Sequence, residues 1–482
     1  MDLLEYVAGY IDQHKLLSPG EQVVVGVSGG ADSTCLLHVL QRLGYEVVIG
    51  HLDHQLRPES PEEAQNVKQL GQALGVKTIL GKEDVKQLTK KGFSLEEAAR
   101  IARYQFLVKV AQDHGIIKIS TGHTADDQIE TILMHFLRGA GTSGLRGMLA
   151  STRLASWAHL ELSQHLILVR PLLDVRRSQT MQYCLDTGLK VIHDPSNQDV
   201  TFFRNRIRHE LIPYLKEFNP GIEDVILRMA KVLAGEAGYL ESVLDEKWAL
   251  LIHEQDEGSL KFDSDKFRLL QLPLRRSFLR RAIKKLVPDV RDLGFDHIER
   301  ALEFLDQQGT TGVGQLPLGL ELVHLGNQVV MRKVGERIDL PQYPQTETAK
   351  SVGLEFPLTL NLRDGWRLTG EVMQLDEINR TDVFNSLVTN TAAMDVRSIV
   401  GSMVLRNYQP GERFQPFGMD GTIKVSDYFI NRKIPRLARE RWPILYDQDG
   451  IVWIVGISIA NRVKIVEDTA ELYLVKVKPP KE

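Results

Sequence analysis

Residues Val23 to Leu37 read VVVGVSGGADSTCLL, and the architecture of the first half of the chain follows from them. Val23 to Val27 is apolar and β-branched apart from one glycine, the signature of a strand buried on both faces of a parallel sheet. Ser28, Gly29, Gly30, Ala31, Asp32 and Ser33 form a turn of small residues, and Thr34 to Leu43 resumes at helical spacing. A strand that passes through such a turn into a helix builds an anion site. The N–H groups of the turn and of the helix start lack partners, and the helix dipole favours negative charge there. The glycines let the backbone approach a phosphate, and the two serines add hydroxyl donors. No Gly-Lys-Ser/Thr follows, which excludes a Walker A loop, and the third glycine of the dinucleotide fingerprint is missing.

Outward from this stretch, strands and helices alternate. Val47 to Leu52 and Val76 to Leu80 read as strands with a helix, Pro61 to Leu74, between them. Ser94 opens a long helix with Glu97 completing a capping box, Gly115 ends it, and Ile116 to Ser120 is the next strand. The alternation predicts a doubly wound α/β domain with a parallel sheet, whose ligands sit beyond the strand C-termini. From about Phe218 to Leu305 the pattern is helical, and a glycine-bearing stretch, Gly309 to Gly326, and short strands follow; Pro341 to Glu347, PQYPQTE, reads as a linker, and the remainder is richer in short strands such as Leu358 to Leu362 and Ile451 to Val455. Three domains are expected: an α/β nucleotide domain at 1–215, a helical middle domain at 216–335 and a small α+β domain at 350–482.

A second chemistry-bearing stretch, GHTADDQIETILMHFLRGAGTSGLRGM from Gly122 to Met148, follows the strand ending at Ser120. Thr124 is a natural N-cap with Asp127 at the third helical position, and Asp126, Asp127 and Glu130 share one helix end. Dipole-favoured acids explain one such residue easily, and three beside His123 less well. The chemical readings are a magnesium site for ATP phosphates or a base that takes a proton from an incoming amine. Arg100, Arg103 and Tyr104 lie on one helix, where salt bridges to Glu96 and Glu97 compete with a catalytic role for the arginines. His51, Asp53 and His54 end the second strand, near where an adenosine would lie in this topology.

SGGADS resembles the pyrophosphate loop of the N-type ATP pyrophosphatases, which split ATP into AMP and pyrophosphate while adenylating a substrate. The Gly122–Met148 stretch is similar to the signature of the tRNA(Ile)-lysidine synthase family. So are EEAARIARYQF at 96–106, RPLL at 170–173, DPSN at 194–197, FFRNRIRHELIPYL at 202–215 and Pro410 to Leu445. The resemblance implies an adenine nucleotide α-hydrolase-like fold and a two-step ligation using ATP and Mg²⁺. The C2 oxygen of the wobble cytidine of an isoleucine tRNA with a CAU anticodon attacks the α-phosphate, and pyrophosphate leaves. The ε-amine of L-lysine then attacks C2, and AMP leaves. It implies that Ser28, Gly29, Gly30, Ala31, Asp32, Ser33 and His54 hold ATP, and that Asp32, Asp127 and Glu130 hold the metal. For that reaction the candidate catalytic residues are Asp126 or Asp127 as the base that takes the amine's proton, and Arg100 or Arg103 as the cation at the α-phosphate.

Local basic patches suit a nucleic-acid partner although the net charge of the chain is −4. Arg204, Arg206 and Arg208 alternate along one segment, Arg276, Arg280 and Lys284 form an i, i+4, i+8 stripe, and eight Lys or Arg face four Asp or Glu between Gly401 and Trp442. The last group includes Arg413, Lys424, Arg432, Lys433, Arg436 and Arg439. A solvated charged face explains each patch alone; together they suggest a phosphate-tracking surface for tRNA. Cys35 and Cys184 are the only cysteines, with no Cys-x-x-Cys, which argues for a reducing cytoplasm and against a structural zinc or a cysteine-held cluster. No apolar run is long enough to span a bilayer, so no membrane partner is expected, and nothing opposes a homodimer. The competing functions are another tRNA-modifying enzyme of the pyrophosphatase-loop group, such as a thiolase, and a non-catalytic RNA- or nucleotide-binding module.

Overall fold

The computed structural model describes residues 2–55, 60–85, 94–154, 165–192, 199–288, 290, 293–307, 312–336, 340, 342–347, 351–375 and 390–480. The chain divides into two compact units, one formed by residues 1–250 and 272–293 and the other by 251–271 and 294–482. The DPSN segment at 194–197 lies outside the described residues.

In the first unit, strands β1 (Gln22–Gly26), β2 (Glu46–Asp53), β3 (Lys77–Lys82), β4 (Lys118–Thr121), β5 (Ser151–Arg153) and β6 (Ile167–Val169) form one sheet in the order β3-β2-β1-β4-β6-β5. Only β5 runs antiparallel, against β6. The helices are α1 (Leu3–Gln13), α2 (Ala31–Arg42), α3 (Ser60–Leu74), α4 (Leu95–Asp113), α5 (Ala125–Leu137) and α6 (Arg177–Asp186). Alternation along β1 sends its valines to opposite faces. Val23 and Val25 pack with Val7, Ile11, Leu36, Leu37, Leu40, Val67 and Cys184, from α1, α2, α3 and α6. Val24 packs with Tyr104, Leu107, Val108 and Ala111 of α4. Both faces are therefore covered, which is why the strand's central residues are all apolar.

The strand order reverses at β1. From β1 the chain moves outward to β2 and β3, then returns through α4 to β4 on the other side. Val23 to Gly26 pair in parallel register with Lys118 to Thr121, so β1 and β4 end level with each other. The loops that leave them stand side by side at the sheet's carboxyl edge, the topological switch point where open α/β sheets bind ligands.

Beyond the sheet the chain is helical from Phe203 to Phe218, with a π-helical turn at Ile207–Leu211, and then through α7 (Ile222–Leu251). Ile207, Ile212, Ile226 and Ala230 pack on Ile129, Ile132 and Leu133 of α5. A further helix, α8 (Leu272–Leu286), buries Phe278, Leu279, Ala282, Ile283 and Leu286.

The second unit is mostly antiparallel β. Strands at 252–255, 259–263, 313–316, 320–325 and 328–333 form a five-stranded sheet, so the region expected to be a helical middle domain carries a sheet as well as helices. The strands at 313–333 fall where short strands are expected, whereas those at 252–255 and 259–263 fall within the stretch read as helical, where segments of four or five residues are too short to stand out against the helical periodicity around them. A second five-stranded sheet and a four-stranded sheet follow, around a core that includes Trp442, Trp453 and Phe429. The PQYPQTE stretch, read as a linker, is corrected by its described part. The Gln345 side-chain amide donates to the Ala438 carbonyl at 2.9 Å, and the Thr346 N–H donates to the Arg441 carbonyl at 2.9 Å. Both residues are buried, and these bonds fasten the segment to the C-terminal core.

Candidate active site

The loop after β1 is a closed knot of hydrogen bonds. The Ser28 N–H donates to Ser33 Oγ at 3.1 Å, the Ser33 hydroxyl donates to the Gly30 carbonyl at 3.1 Å, and the two serine hydroxyls are 3.1 Å apart. Helix α2 begins at Ala31, earlier than hydrophobic spacing indicated, so Asp32 and Ser33 occupy its first turn. Its N-cap, Gly30, offers no side chain to the helix start, which leaves the first N–H groups without a cap and suited to an anion. Gly29 has φ +88°, and a Cβ there would lie 2.5 Å from Ile192 Cδ1, so both conformation and space require glycine.

The loop after β4 presses on this one. A Cβ on Gly122 would lie 2.9 Å from the Asp32 carbonyl and from the Ser33 nitrogen. Glycine at 122 therefore allows the acidic helix α5 to begin against the first turn of α2. Thr124 is the N-cap of α5, and its N–H and hydroxyl donate to Asp127 Oδ2 at 2.9 and 3.0 Å.

Three arginines meet the acids. Arg177, the first residue of α6, donates through its backbone N–H to Asp126 Oδ2 at 2.8 Å, and its guanidinium reaches Asp32 Oδ2 at 3.3 Å, Asp127 Oδ1 at 3.0 Å and Glu130 Oε1 at 3.5 Å. Arg204 pairs with Glu130 Oε2 at 2.6 Å and with Asp127 Oδ1 at 3.1 Å, and Arg208 pairs with Glu130 Oε1 at 2.6 Å. The Thr180 hydroxyl donates to Asp32 Oδ1. Burial raises the Asp32 pKa, only partly offset by Thr180 and Arg177. Burial also pushes Asp127 upward, but Arg204 and Arg177 outweigh it and hold its carboxyl below the usual range. The Arg177 guanidinium is held well above its ordinary pKa, because Asp127, Glu130, Asp32 and Asp126 outweigh its burial.

These contacts reassign several residues. Glu130 is 1 % exposed and both of its oxygens are taken by arginines, so it is a structural counter-ion in this arrangement and not an open metal ligand. Arg204 and Arg208 are correspondingly spent inside the protein and unavailable as free phosphate contacts, whereas Arg206 between them is exposed and pairs with Glu210 at 3.3 Å. Among the described residues no group of three or more His, Cys, Asp and Glu is arranged to hold an ion. Asp32 and Asp127 also accept from Arg177, but they are less buried than Glu130 and are hard oxygen donors that a cation would reach by displacing that guanidinium. That set fits Mg²⁺, which commonly takes one or two carboxylates and fills its octahedron with water and phosphate.

His51, His54 and His123 stay neutral near pH 7. Burial, with smaller contributions from Arg103 and His51, lowers His54 to about 4. Burial, aided by Arg170, Arg100 and Arg204, lowers His123 to about 3, and His123 Nδ1 lies 2.8 Å from the Thr121 hydroxyl. His51 Nδ1 is 2.8 Å from the Val27 carbonyl, while its Nε2 and His54 Nδ1 are buried and have no partner among the described residues. Arg103 is exposed on α4, and crowding by the protein together with the charges of Arg100 and Arg204 lowers its pKa.

Arg177 escaped the sequence reading, although a signal was present. Arg176 and Arg177 stand at the N-cap and first position of α6, where the helix dipole disfavours cations. Such placement needs acids from elsewhere, and both have them: Arg176 pairs with Glu223 and Asp224, and Arg177 with the α2 and α5 carboxylates. Gln128 was also missed. Its side chain donates to the Met148 carbonyl at 2.9 Å and accepts from the Met148 N–H at 2.7 Å, which pins the glycine-rich segment after α5.

The basic residues farther along differ among themselves. Arg280 donates to the Leu293 carbonyl at 3.1 Å, Arg276 is half-buried on the same helix, and Lys284 is exposed. In the second unit Arg432, Lys433 and Arg436 are all exposed, and Arg432 stacks over Tyr428 at 5.3 Å. Arg439 donates twice to the Ile434 carbonyl, at 2.8 and 2.6 Å, and Arg413 donates to the Thr422 carbonyl at 2.8 Å. Lys424 is exposed at the N-cap of a short helix, Val425–Asn431.

Residues 7–215 match the family model of the PP-loop domain, and residues 403–475 match that of the TilS substrate C-terminal domain. The tRNA(Ile)-lysidine synthase of Dehalococcoides mccartyi is 33% identical over 98% of this chain and 99% of its own length. That of Geobacter sulfurreducens is 31% identical over 99% of this chain and 97% of its own length. A solved structure of a TilS C-terminal domain is 26% identical and covers 28% of this chain and 100% of that one, with a TM-score of 0.24. The loop after β1 and the acidic helix after β4 thus occur in a chain that aligns with these relatives almost end to end, and the chain belongs to the tRNA(Ile)-lysidine synthase family.

Proposed function

We propose that this chain joins free L-lysine to C2 of the wobble cytidine of an isoleucine tRNA with a CAU anticodon, consuming ATP and releasing pyrophosphate and AMP. The observation that carries the reading is the abutment of the phosphate-type loop at 28–33 on the acidic start of α5 at Gly122. An activated phosphate and an amine must meet in such a place, where donors for one and carboxylates for the other lie side by side.

The N–H groups at the start of α2 and the hydroxyls of Ser28 and Ser33 hold the leaving pyrophosphate. Arg100 and Arg103 flank the α-phosphate, where positive charge stabilises the crowded oxygens of the transition state. His54 lines the nucleoside side of the site as a neutral imidazole. Asp32 and Asp127 would hold Mg²⁺, which supplies charge neutralisation to the phosphates when bound. The lysine ε-amine attacks only when neutral, so a base must take its proton. Asp127 already accepts from Thr124, Arg177 and Arg204, whereas Asp126 spends one oxygen on the Arg177 N–H. Asp126 is therefore the better base and Asp127 the better metal or ammonium partner. The cations Arg206, Lys284, Lys424, Arg432, Lys433 and Arg436 track tRNA phosphates, with Arg276, Arg280 and Arg413 contributing at the edges.

The test is incubation with ATP, unmodified isoleucine tRNA and radiolabelled lysine, following pyrophosphate release and label in the tRNA. Lysine incorporation that depends on both ATP and this tRNA is expected. Turnover with ammonia or a sulfur donor and none with lysine would overturn the reading in favour of another tRNA-modifying chemistry. Absence of pyrophosphate release with any of them would favour a binding module.

A further inference from the structure

The site poses an electrostatic problem. A loop built for a polyphosphate stands against three carboxylates, and Asp32 lies in the first turn of the phosphate-binding helix itself. Anion binding over such a surface is opposed unless the acids are neutralised from within the protein. Arg204 and Arg208 together cover Glu130, and Arg204 also touches Asp127. Neither has Asp32 as a described partner. Arg177 reaches the acids of both elements: Asp32 on α2 at 3.3 Å and Asp127 on α5 at 3.0 Å, with Glu130 at 3.5 Å. Its own helix is anchored beside them, since its backbone N–H donates to Asp126 and Thr180, one turn on, donates to Asp32.

We propose that Arg177 is a positioning residue that makes the acidic half of the site tolerate a polyphosphate. It acts by neutralising Asp32, within the loop at 28–33, and Asp127 beside that loop, not by gripping a phosphate. The inference rests on the reading of that loop as the pyrophosphate site. It adds the internal counter-cation which that reading lacks.

The experiment measures binding of inorganic pyrophosphate and of adenosine by calorimetry, in EDTA, to the whole protein and to three variants. Arg177→Gln weakens pyrophosphate binding about tenfold or more, as expected from exposing like charge close to the ligand. The deficit shrinks as salt is raised. Adenosine, which carries no charge, keeps its affinity within about twofold. Arg177→Lys, which keeps the charge and loses the fork, retains most of the pyrophosphate affinity. Adding Asp32→Asn to Arg177→Gln removes the charge left unpaired and restores pyrophosphate binding to within about threefold of the unaltered protein. Equal pyrophosphate affinity in Arg177→Gln and the unaltered protein overturns the proposal. So does a double variant as weak as Arg177→Gln, which would mean that Arg177 touches the phosphate. An equal loss of adenosine affinity also overturns it, by assigning Arg177 to the fold. If the unaltered protein itself binds no pyrophosphate, it is the reading of the loop that fails.

Discussion

Arg204 and Arg208 of the first unit resemble Arg432 and Arg436 of the second in sequence, since both pairs are basic residues at short spacing among polar and aromatic neighbours. The structure uses them oppositely. The first pair closes on Glu130, a carboxylate that is 1 % exposed, while the second pair stands against solvent. Charge counting along a chain reveals how many cations a segment holds, and the buried acids of other segments decide how many remain for a partner. The sharpest way to break this contrast is to remove the acid. Glu130→Ala leaves Arg204 and Arg208 partly buried and without their main partner, a loss of about 3 kcal/mol, or roughly 10 °C in thermal melting. Arg436→Ala should stay within about 0.5 kcal/mol of the unaltered protein. Equal melting temperatures for the two variants would mean that the Glu130 cluster is solvated and that the contrast is false.

Asp32 tests the same contrast from the chemical side. Asp32→Ala removes a carboxylate at the start of the phosphate-binding helix and frees Thr180 and one nitrogen of Arg177. Pyrophosphate release from ATP in the presence of tRNA should fall about a hundredfold. Melting should change little, because burial already makes the charged form of Asp32 costly. Normal release would remove Asp32 from the chemistry.

The parallel sheet, the position of the loop at 28–33 and the start of α5 were legible because each rests on local rules. Buried parallel strands are uniformly apolar, glycines mark turns and close approaches, and Thr124 with Asp127 spells a helix start. Arg177 was not legible, because what defines it is a set of carboxylates 50 and 145 residues away. The same holds for Glu130, whose arginine partners lie up to 78 positions along the chain. Two strands of the sheet between residues 252 and 333, at 252–255 and 259–263, were hidden for a different reason: they are four and five residues long and lie between helices, inside the segment read as helical. Short alternation carries too few residues to outweigh that periodicity.

Acid should expose the first unit in particular. His54 and His123 are held neutral, at about 4 and about 3, against about 6.5 when unfolded. Below pH 6.5 the unfolded chain takes up protons that the folded site refuses, so stability falls as pH falls and continues to fall until the folded values are reached. At pH 5.5 the loss is roughly 1 kcal/mol for each histidine. His123→Gln should flatten the melting temperature between about pH 6.5 and 5 relative to the unaltered protein. An unchanged slope would mean that His123 is solvated in the folded state.

The smallest effect separates two neighbours. Arg436 keeps its guanidinium available to solvent, whereas that of Arg439 is doubly bonded to the Ile434 carbonyl. Every phosphate that a nucleic-acid complex ceases to neutralise lowers the magnitude of its salt slope by about 1. Arg436→Ala should therefore weaken tRNA binding about threefold near physiological salt and reduce that slope, with ATP affinity unaffected. Arg439→Ala should leave the slope alone and lower the melting temperature, because the Ile434 carbonyl loses its donor. If both variants reduce the slope equally, Arg439 leaves its carbonyl to meet the tRNA, and the division between spent and available cations does not hold within the second unit. If neither does, the exposed cations of this stretch are a solvated face, and the tRNA is held elsewhere.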